Sequence, residues 1–515
     1  MGSSVKDYRE ALKFHENTKH SYVSVRTVFH KLDWENRPYP FKIYEGLPTA
    51  ALPRTIPKPE LHSITCLNEL NQAGDGSLDI VILSSLLFFT AGITRAVRYV
   101  DGVHYFRAAP ATGALYPTEV YVVAGNVGGL AEGVYHFSPC GFNLTILRSG
   151  DFRGFLAKYS HEDVGRCQAS LVFTSIGWRN AWKYRERSYR HWFWDSGAMV
   201  ANLLAVCRAF GLQARVVTGF VDEKVNSLVA VDGVKESAII IVPLGRSQKK
   251  PPETDEVAVL TPRVKPLSKR EAVYKLVEEI HKASSITTVE ELRGWREKAV
   301  SAPSSAEPAE DSLSINPVED VGPPLWEVIL RRGSTRRFSR QPISFPQLST
   351  ILKAASARFV ADFNNPLTNI YLIVNAVDGL KPGAYFFDGE RLKLLKAGGF
   401  RRVSGYLCLE QELGSDAAAV LFITTPLENV LRHLGNRGYR VVQLEGGVRA
   451  GLAYLAAYAV GVGATGLTFY DDDVKQFFSP HAGDKENVIV VAVGVPAYKA
   501  KPGKMILGVE AEGDA

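Results

Sequence analysis

Cysteine is scarce in this chain and badly placed for chemistry. The five cysteines, Cys66, Cys140, Cys167, Cys207 and Cys408, are scattered, odd in number and never spaced as CxxC. That excludes a disulfide framework and a cysteine-rich zinc site, and it fits a reducing compartment. The 11 histidines fall at no ligand spacing, so no metal is implied. Net charge is small as well. A balance of +6 permits an anionic ligand but does not suggest a nucleic-acid protein, and no nucleic-acid-binding signature is present. The start "MGSSVKDYRE" lacks an apolar signal core, and Lys6 stands where a myristoylation motif wants Ser or Thr. The apolar window "LDIVILSSLLFFTAGI" opens on Asp79 and reads as a buried strand or helix, not a membrane span. The expectation is a soluble cytoplasmic protein without nucleic-acid or membrane partners.

What is there is ordinary globular composition, 46% apolar and 22% charged, spread over 515 residues. That length is too great for one core and suits two or three domains.

The chain repeats itself. "RERSYRHWFWDSGAMVANLLAVCRAFGL" from Arg185 and "GNRGYRVVQLEGGVRAGLAYLAAYAVGV" from Gly435 hold one register, each position of the first matching the second on adding 250. Arg187, Tyr189, Arg190, Asp195, Gly197 and Gly211 thereby become Arg437, Tyr439, Arg440, Glu445, Gly447 and Gly461. The same shift carries "EVYVVAGNVGGLAEGVYHF" onto "NIYLIVNAVDGLKPGAYFF". A register kept across strand, turn and helix is an internal duplication, two copies of a domain of roughly 200 residues.

Within each copy, β-rich runs ("TEVYVVAG", "ASLVFTSI"; "NIYLIVNA", "AAVLFITT") flank a segment whose small and apolar residues go all round a helix. The expected class is α+β, with that buried helix as spine. The conserved register of its arginines suggests that Arg187, Arg190, Arg437 and Arg440 pair with Asp195 and Glu445 or cap helices. Between the copies, Ser268 and Glu271 read as a capping box for "SKREAVYKLVEEIHKAS", and a stretch rich in Pro, Ser, Ala and acids follows Trp295. The expected division is a first domain with an N-terminal extension over 1–250, a helical and Pro/Ser/Ala/Glu-rich linker over 251–322, and a second domain over 323–515.

Two stretches differ between the copies in a reciprocal way. "PPLWEVILRR" opens on proline, and Gly333 supplies a helix stop; Ser344 and Gln347 then cap the next helix. The connection "RRGSTRRF" can turn Arg332, Ser334 and Arg336 inward together, and paired guanidinium forks with a hydroxyl suit a phosphate monoester. Arginines at a helix end also complement its dipole from solvent. Shifting by 265 puts "LNELN", residues 67–71, opposite "RGSTR", with no arginine. Conversely, the first copy has "RAAPATGALYPTEVY" where the second has "ARFVADFNNPLTNIY". Pro110 fixes chain direction, and Thr112 and Gly113 offer a hydroxyl and a backbone that can approach a flat ligand. Each copy lacks what the other keeps, as expected for one shared site.

On these residues the chain resembles the nitroreductase-like flavoproteins, specifically the SagB/ThcOx-type dehydrogenase branch, in tandem form. "RGSTRRF" is similar to that family's flavin-phosphate motif Arg-x-Ser-x-Arg/Lys. "RAAPATGALYP" is similar to its Arg-x-x-Pro-Ser-x-Gly-Ala-Leu-Tyr-Pro loop. "WKYRERSYRHWFWDSG" resembles the segment that ends in Asp-x-Gly. With "FKIYEGLP" near the start, the resemblance covers most of the chain outside the linker. It implies FMN as cofactor, held between protomers, and so an intramolecular pseudo-dimer here, with NAD(P)H as an allowed electron donor and a small molecule or peptide as substrate. The implied cofactor site takes Arg332, Ser334 and Arg336 from the second copy and Pro110, Ala111, Thr112 and Gly113 from the first. Thr468, or its shift mate Thr218, falls near the flavin N5 region. The family's Ser after proline is Ala111 here, and a His that commonly follows Asp-x-Gly is Ala198.

Lys183 and Tyr184 match an adjacent Lys-Tyr pair implicated in catalysis in the azole-forming members. A desolvated lysine can act as base, and tyrosine can donate or relay a proton. Lys499 and Lys501 can add positive charge to the phosphate end. The expected function is an FMN-dependent oxidoreductase; the alternative is a flavin- or peptide-binding protein without turnover, which Ala111 and Ala198 support.

Overall fold

The computed structural model describes residues 7–27, 30–72, 74–100, 102–304 and 312–509. Lys6, and residues 305–311 of the expected linker, lie outside the described residues.

Each copy contributes one large antiparallel sheet. The first runs, in spatial order, Thr49–Ala51, Asn143–Ser149, Gly133–Ser138, Thr118–Ala124, Ala169–Ile176 and Glu236–Leu244. The second runs Gly463–Leu467, Glu486–Gly494, Ala419–Thr425, Asn369–Val374, Gly383–Phe387, Arg391–Ala397 and Leu313–Ser314. The four β-rich runs singled out in the sequence are all central strands. Their residues are buried on both faces, so they read as continuous apolar runs and not as alternation.

The spines are the helices Ser188–Ala209 and Arg437–Ala459, buried almost end to end. They pack on each other where side chains disappear. A Cβ on Gly197 would stand 2.6 Å from the Leu444 carbonyl oxygen, and one on Gly447 would stand 2.6 Å from the Trp194 carbonyl oxygen. Glycine is required at both, because backbone meets backbone there. The two copies thus form an intramolecular pseudo-dimer across these helices, and the class is α+β as expected.

The arginines repeated in both copies cross this interface. Arg187 and Arg190 bind Asp471 of the second copy at 2.9 and 2.8 Å. Arg437 binds Asp222 of the first copy and Arg440 does so at 2.6 Å. The partners expected from sequence, Asp195 and Glu445, are not used, because both carboxylates turn to their own copy's loop. All four arginines and both acids are buried. Removing one member of such a pair leaves an uncompensated buried charge, which costs about 3–5 kcal/mol. The termini are exchanged as well. Ala11 in the helix Arg9–Asn17 donates its amide to Asn436 Oδ1 at 2.9 Å, and Lys504 donates its amide to the Thr94 carbonyl at 2.8 Å.

Between the sheets lie the helices Lys275–Ala283 and Val289–Val300. The first begins later than the Ser268–Glu271 capping box predicts. Ser268 instead accepts from Trp178 Nε1 and donates to the Arg270 carbonyl, and Glu271 pairs with Lys235, so neither side chain is left to cap. The Ser344–Gln347 capping box is present and opens Phe345–Ala355. Leu78 to Ile93 forms the helix Ile80–Ala91, capped by Asp79 and buried. Among the described residues no helix is long and apolar enough to cross a membrane.

Candidate functional site

The helix Leu325–Arg331 ends because Arg332 turns to extended backbone, φ −58° and ψ 128°, and Gly333 takes no left-handed conformation. The turn aims the Arg332 side chain into the first copy. Its Nε and Nη2 donate to the carbonyls of Ala108 and Arg107, both at 3.0 Å. One arginine of the second copy therefore fixes the backbone that leads directly into Pro110–Gly113. Ser334 Oγ lies 3.3 Å from the Tyr454 hydroxyl, and the Arg336 amide donates to the Tyr498 hydroxyl at 3.0 Å. The Arg336 guanidinium is exposed and forms no ion pair among the described residues. Space remains beside this turn, since a Cβ on Gly333 would meet nothing nearer than the Tyr458 hydroxyl at 3.6 Å.

On the first copy's side, Gly113 adopts φ +62°, which favours glycine, and a Cβ there would stand 2.7 Å from the Tyr184 hydroxyl. Thr112 does not turn its hydroxyl outward. Its amide and Oγ1 both donate to Asp195 Oδ1, at 2.8 and 2.7 Å, while Asn180 Nδ2 donates to Asp195 Oδ2 at 3.1 Å. Thr112 is thereby a loop anchor. Burial pushes the Asp195 carboxyl up to about 6, against the pull of these donors, with no cation facing it among the described residues. Its mate Glu445 has one, Arg449, at 3.0 Å, besides the amides of Leu367 and Thr368.

Lys183 and Tyr184 end the helix Gly177–Tyr184, and Tyr184 meets this loop at Gly113. Desolvation, with the Arg336 and Arg37 guanidiniums, lowers the Lys183 ammonium. Burial, with the Asp195 charge, raises the Tyr184 phenol. The structure thus sets Arg332 on the backbone that leads into this loop and brings the Arg336 charge near Lys183 and Tyr184, while Ser334 meets Tyr454 of its own copy. Thr468 follows the strand Gly463–Leu467, half-buried, with a hydroxyl that has no partner among the described residues.

The position related by the duplication is closed. Asp362 stands 250 residues on from Thr112. It accepts from the Thr218 amide and hydroxyl, both at 2.9 Å, and from the Gly219 amide at 2.7 Å. Trp295, fully buried in the inserted helix, would lie 2.4 Å from a Cβ on Gly219. Sequence reasoning noted that the second copy lacks the Pro-Thr-Gly loop but missed this plug. The signal was an acid at the position of Thr112.

Fold and site define a duplicated α+β protein with one cationic, glycine-lined junction and a counterpart filled at its inner end by Asp362 and Trp295. The chain belongs to the nitroreductase family, whose model matches residues 77–246 and 329–495. It is 30% identical over 171 residues to the trifolitoxin-processing protein TfxB of Rhizobium leguminosarum bv. trifolii, across 32% of this chain and 45% of that protein. It is 29% identical over 142 residues to the microcin B17-processing protein McbC of Escherichia coli, across 26% of this chain and 52% of that one. The chain spans about half the length of these two relatives. A crystal structure described as a nitroreductase from Anabaena variabilis aligns with 95% of this chain and 100% of its own, at 25% identity and a TM-score of 0.75. The likeness to that structure therefore extends through both copies.

Proposed function

We propose that the chain is an FMN-dependent oxidoreductase of the SagB-type dehydrogenase kind, with one composite flavin site. The observation that carries this reading is the asymmetry between the two junctions. At one, Arg332 of the second copy braces the Arg107–Ala108 backbone of the first; at the other, Asp362 and Trp295 occupy the space.

The open junction fits a phosphorylated flavin by its donor set. Arg336, free of acid partners, and Ser334 would hold the phosphate, with Arg332 setting the depth of the pocket. Pro110, Ala111, Thr112 and Gly113 would border the ring, the glycine allowing close approach, and Thr468 would face it from the second copy. FMN when bound supplies hydride transfer to or from a substrate. Lys183, its ammonium lowered by desolvation and two guanidiniums, is suited to take a proton from the substrate. Tyr184, held protonated by burial, is suited to give one. A small molecule or a peptide azoline is the proposed substrate, supported by relatives named for processing trifolitoxin and microcin B17, and NAD(P)H is a proposed donor.

A second reading, flavin binding without turnover, is favoured by two observations: the Thr112 hydroxyl is committed to Asp195, and Ala198 has no titratable proton. The visible spectrum of the purified protein separates the readings. The oxidoreductase should be yellow, bleach with dithionite and be reoxidised by a nitroaromatic or quinone. A yellow protein that dithionite bleaches but no candidate donor or substrate does supports the second reading, and a colourless one that takes up no FMN overturns both.

A further inference from the structure

A cavity of about 990 Å³ opens among residues 70–72, 162–167, 212–215 and 243–251, and it reaches Val360. Adding 265 to the first stretch gives 335–337, which lies in the "RGSTRRF" turn; adding 250 to the last two gives 462–465 and 493–501. Val360 itself is 250 residues on from Pro110. The cavity is therefore the outer end of the closed junction, the counterpart of the place where the composite site would hold its phosphate. Only the inner end is plugged, by Asp362 on Thr218 and Gly219 and by Trp295.

Its lining is cationic. Arg166, Arg215, Arg246, Lys249 and Lys250 face it, against two acids, Glu162 and Asp163. Asp163 is taken by Arg215 at 2.6 Å, and Glu162 lies 3.8 Å from Arg166. Lys249 pairs with Glu132 outside the lining. That leaves Arg246, whose Nε donates to Gln213 Oε1 at 2.6 Å, and Lys250 without an acid among the described residues. The amides of Asn71, Gln72 and Gln248 add neutral donors. A guanidinium and an ammonium left uncompensated in a concave site draw a compact multivalent anion, and charge-assisted hydrogen bonds then hold it.

We infer that this cavity is a second ligand site, one that takes a phosphate-bearing small molecule but not a flavin. The inference rests on the composite-site reading for its geometry: at this junction the ring end is filled and the arginines of the "RGSTR" turn are replaced by residues 67–71, but Arg246 and Lys250 bring positive charge back to its outer end.

The test is calorimetric titration of the full FMN-loaded chain with inorganic phosphate. One saturable site with a dissociation constant below about 1 mM is expected, weakened at least about tenfold in Arg246→Ala/Lys250→Ala and further in Arg246→Glu. Both residues are exposed, and thermal melting checks that the variants fold. The absence of saturable binding, or equal affinity in the double variant, overturns the inference. If the chain takes up no FMN, the composite-site reading fails separately. The same titration of flavin-free protein still reads the cavity, through the component lost in the double variant.

Discussion

Asp362 and Thr218 hold each other by two hydrogen bonds of 2.9 Å, one from the threonine amide and one from its hydroxyl. Thr468, the duplicate of Thr218, has no such acid and keeps its hydroxyl unpaired among the described residues. The difference predicts stoichiometry. Flavin released by heat from the purified chain should amount to about one FMN per polypeptide. A value near two would show that the filled junction opens to admit a second cofactor.

Arg336→Ala should weaken FMN by about tenfold or more, since a hydrogen bond to a charged group is worth about 1.5–3 kcal/mol. Riboflavin, without the phosphate, should bind wild type poorly and be indifferent to this substitution. Arg332→Ala should weaken both flavins, because its guanidinium braces the Arg107 and Ala108 carbonyls. Arg337→Ala should leave both unchanged. Titration of apoprotein with the two flavins checks all three, and unchanged FMN affinity in Arg336→Ala would return that side chain to a solvated helix end.

Lys183→Ala with Tyr184→Phe should keep flavin and fold yet slow turnover by about 10²–10⁴-fold, the usual worth of a positioned acid–base group. Rapid-reaction measurement of flavin reduction and reoxidation distinguishes the two half-reactions. Unaltered rates in both would make the pair structural.

Gly113→Ala combines a disfavoured φ of +62° with a methyl 2.7 Å from the Tyr184 hydroxyl. A cost on the order of 1–3 kcal/mol is expected. The loop should shift away from Tyr184, so turnover should fall together with stability. Restored turnover in Gly113→Ala/Tyr184→Phe, where the hydroxyl is gone, would mean steric relief outweighs the loss of the phenol.

Asp195 gives a pH signature. Its folded carboxyl titrates near 6, above the ordinary value of 3.8. A raised folded value means that the native state binds the proton more tightly, so this residue favours folding most below pH 3.8, and that contribution is lost as pH rises through 6. Asp195→Asn should remove the dependence. The unfolding free energy of wild type minus that of the variant, from denaturant titrations, should fall from pH 4 to pH 7 and then level, on the order of 1–3 kcal/mol in all. Asn180 Oδ1, buried and unpaired, can accept from the new amide once its own amide flips. A flat difference across that range would place the Asp195 titration elsewhere.

The sequence by itself determined the duplication, the α+β class, the central strands and the two spine helices. Each of these rests on local pattern: apolar runs, all-round burial and a fixed shift of 250 carried through strand, turn and helix. It also marked the two loops that differ between copies, because loss and retention are visible as letters. The pairing of Arg187 and Arg190 with Asp471, and of Arg437 and Arg440 with Asp222, lay beyond it. Those partners are some 215 to 285 residues apart and meet only when two helices touch through Gly197 and Gly447. Nor could pattern show that Thr112 spends its hydroxyl on Asp195, or that Asp362 and a tryptophan from the inserted helix fill the second junction. Direction and distance of side chains across an interface are set by how the two copies dock. Only the tertiary structure decided what fills the second junction.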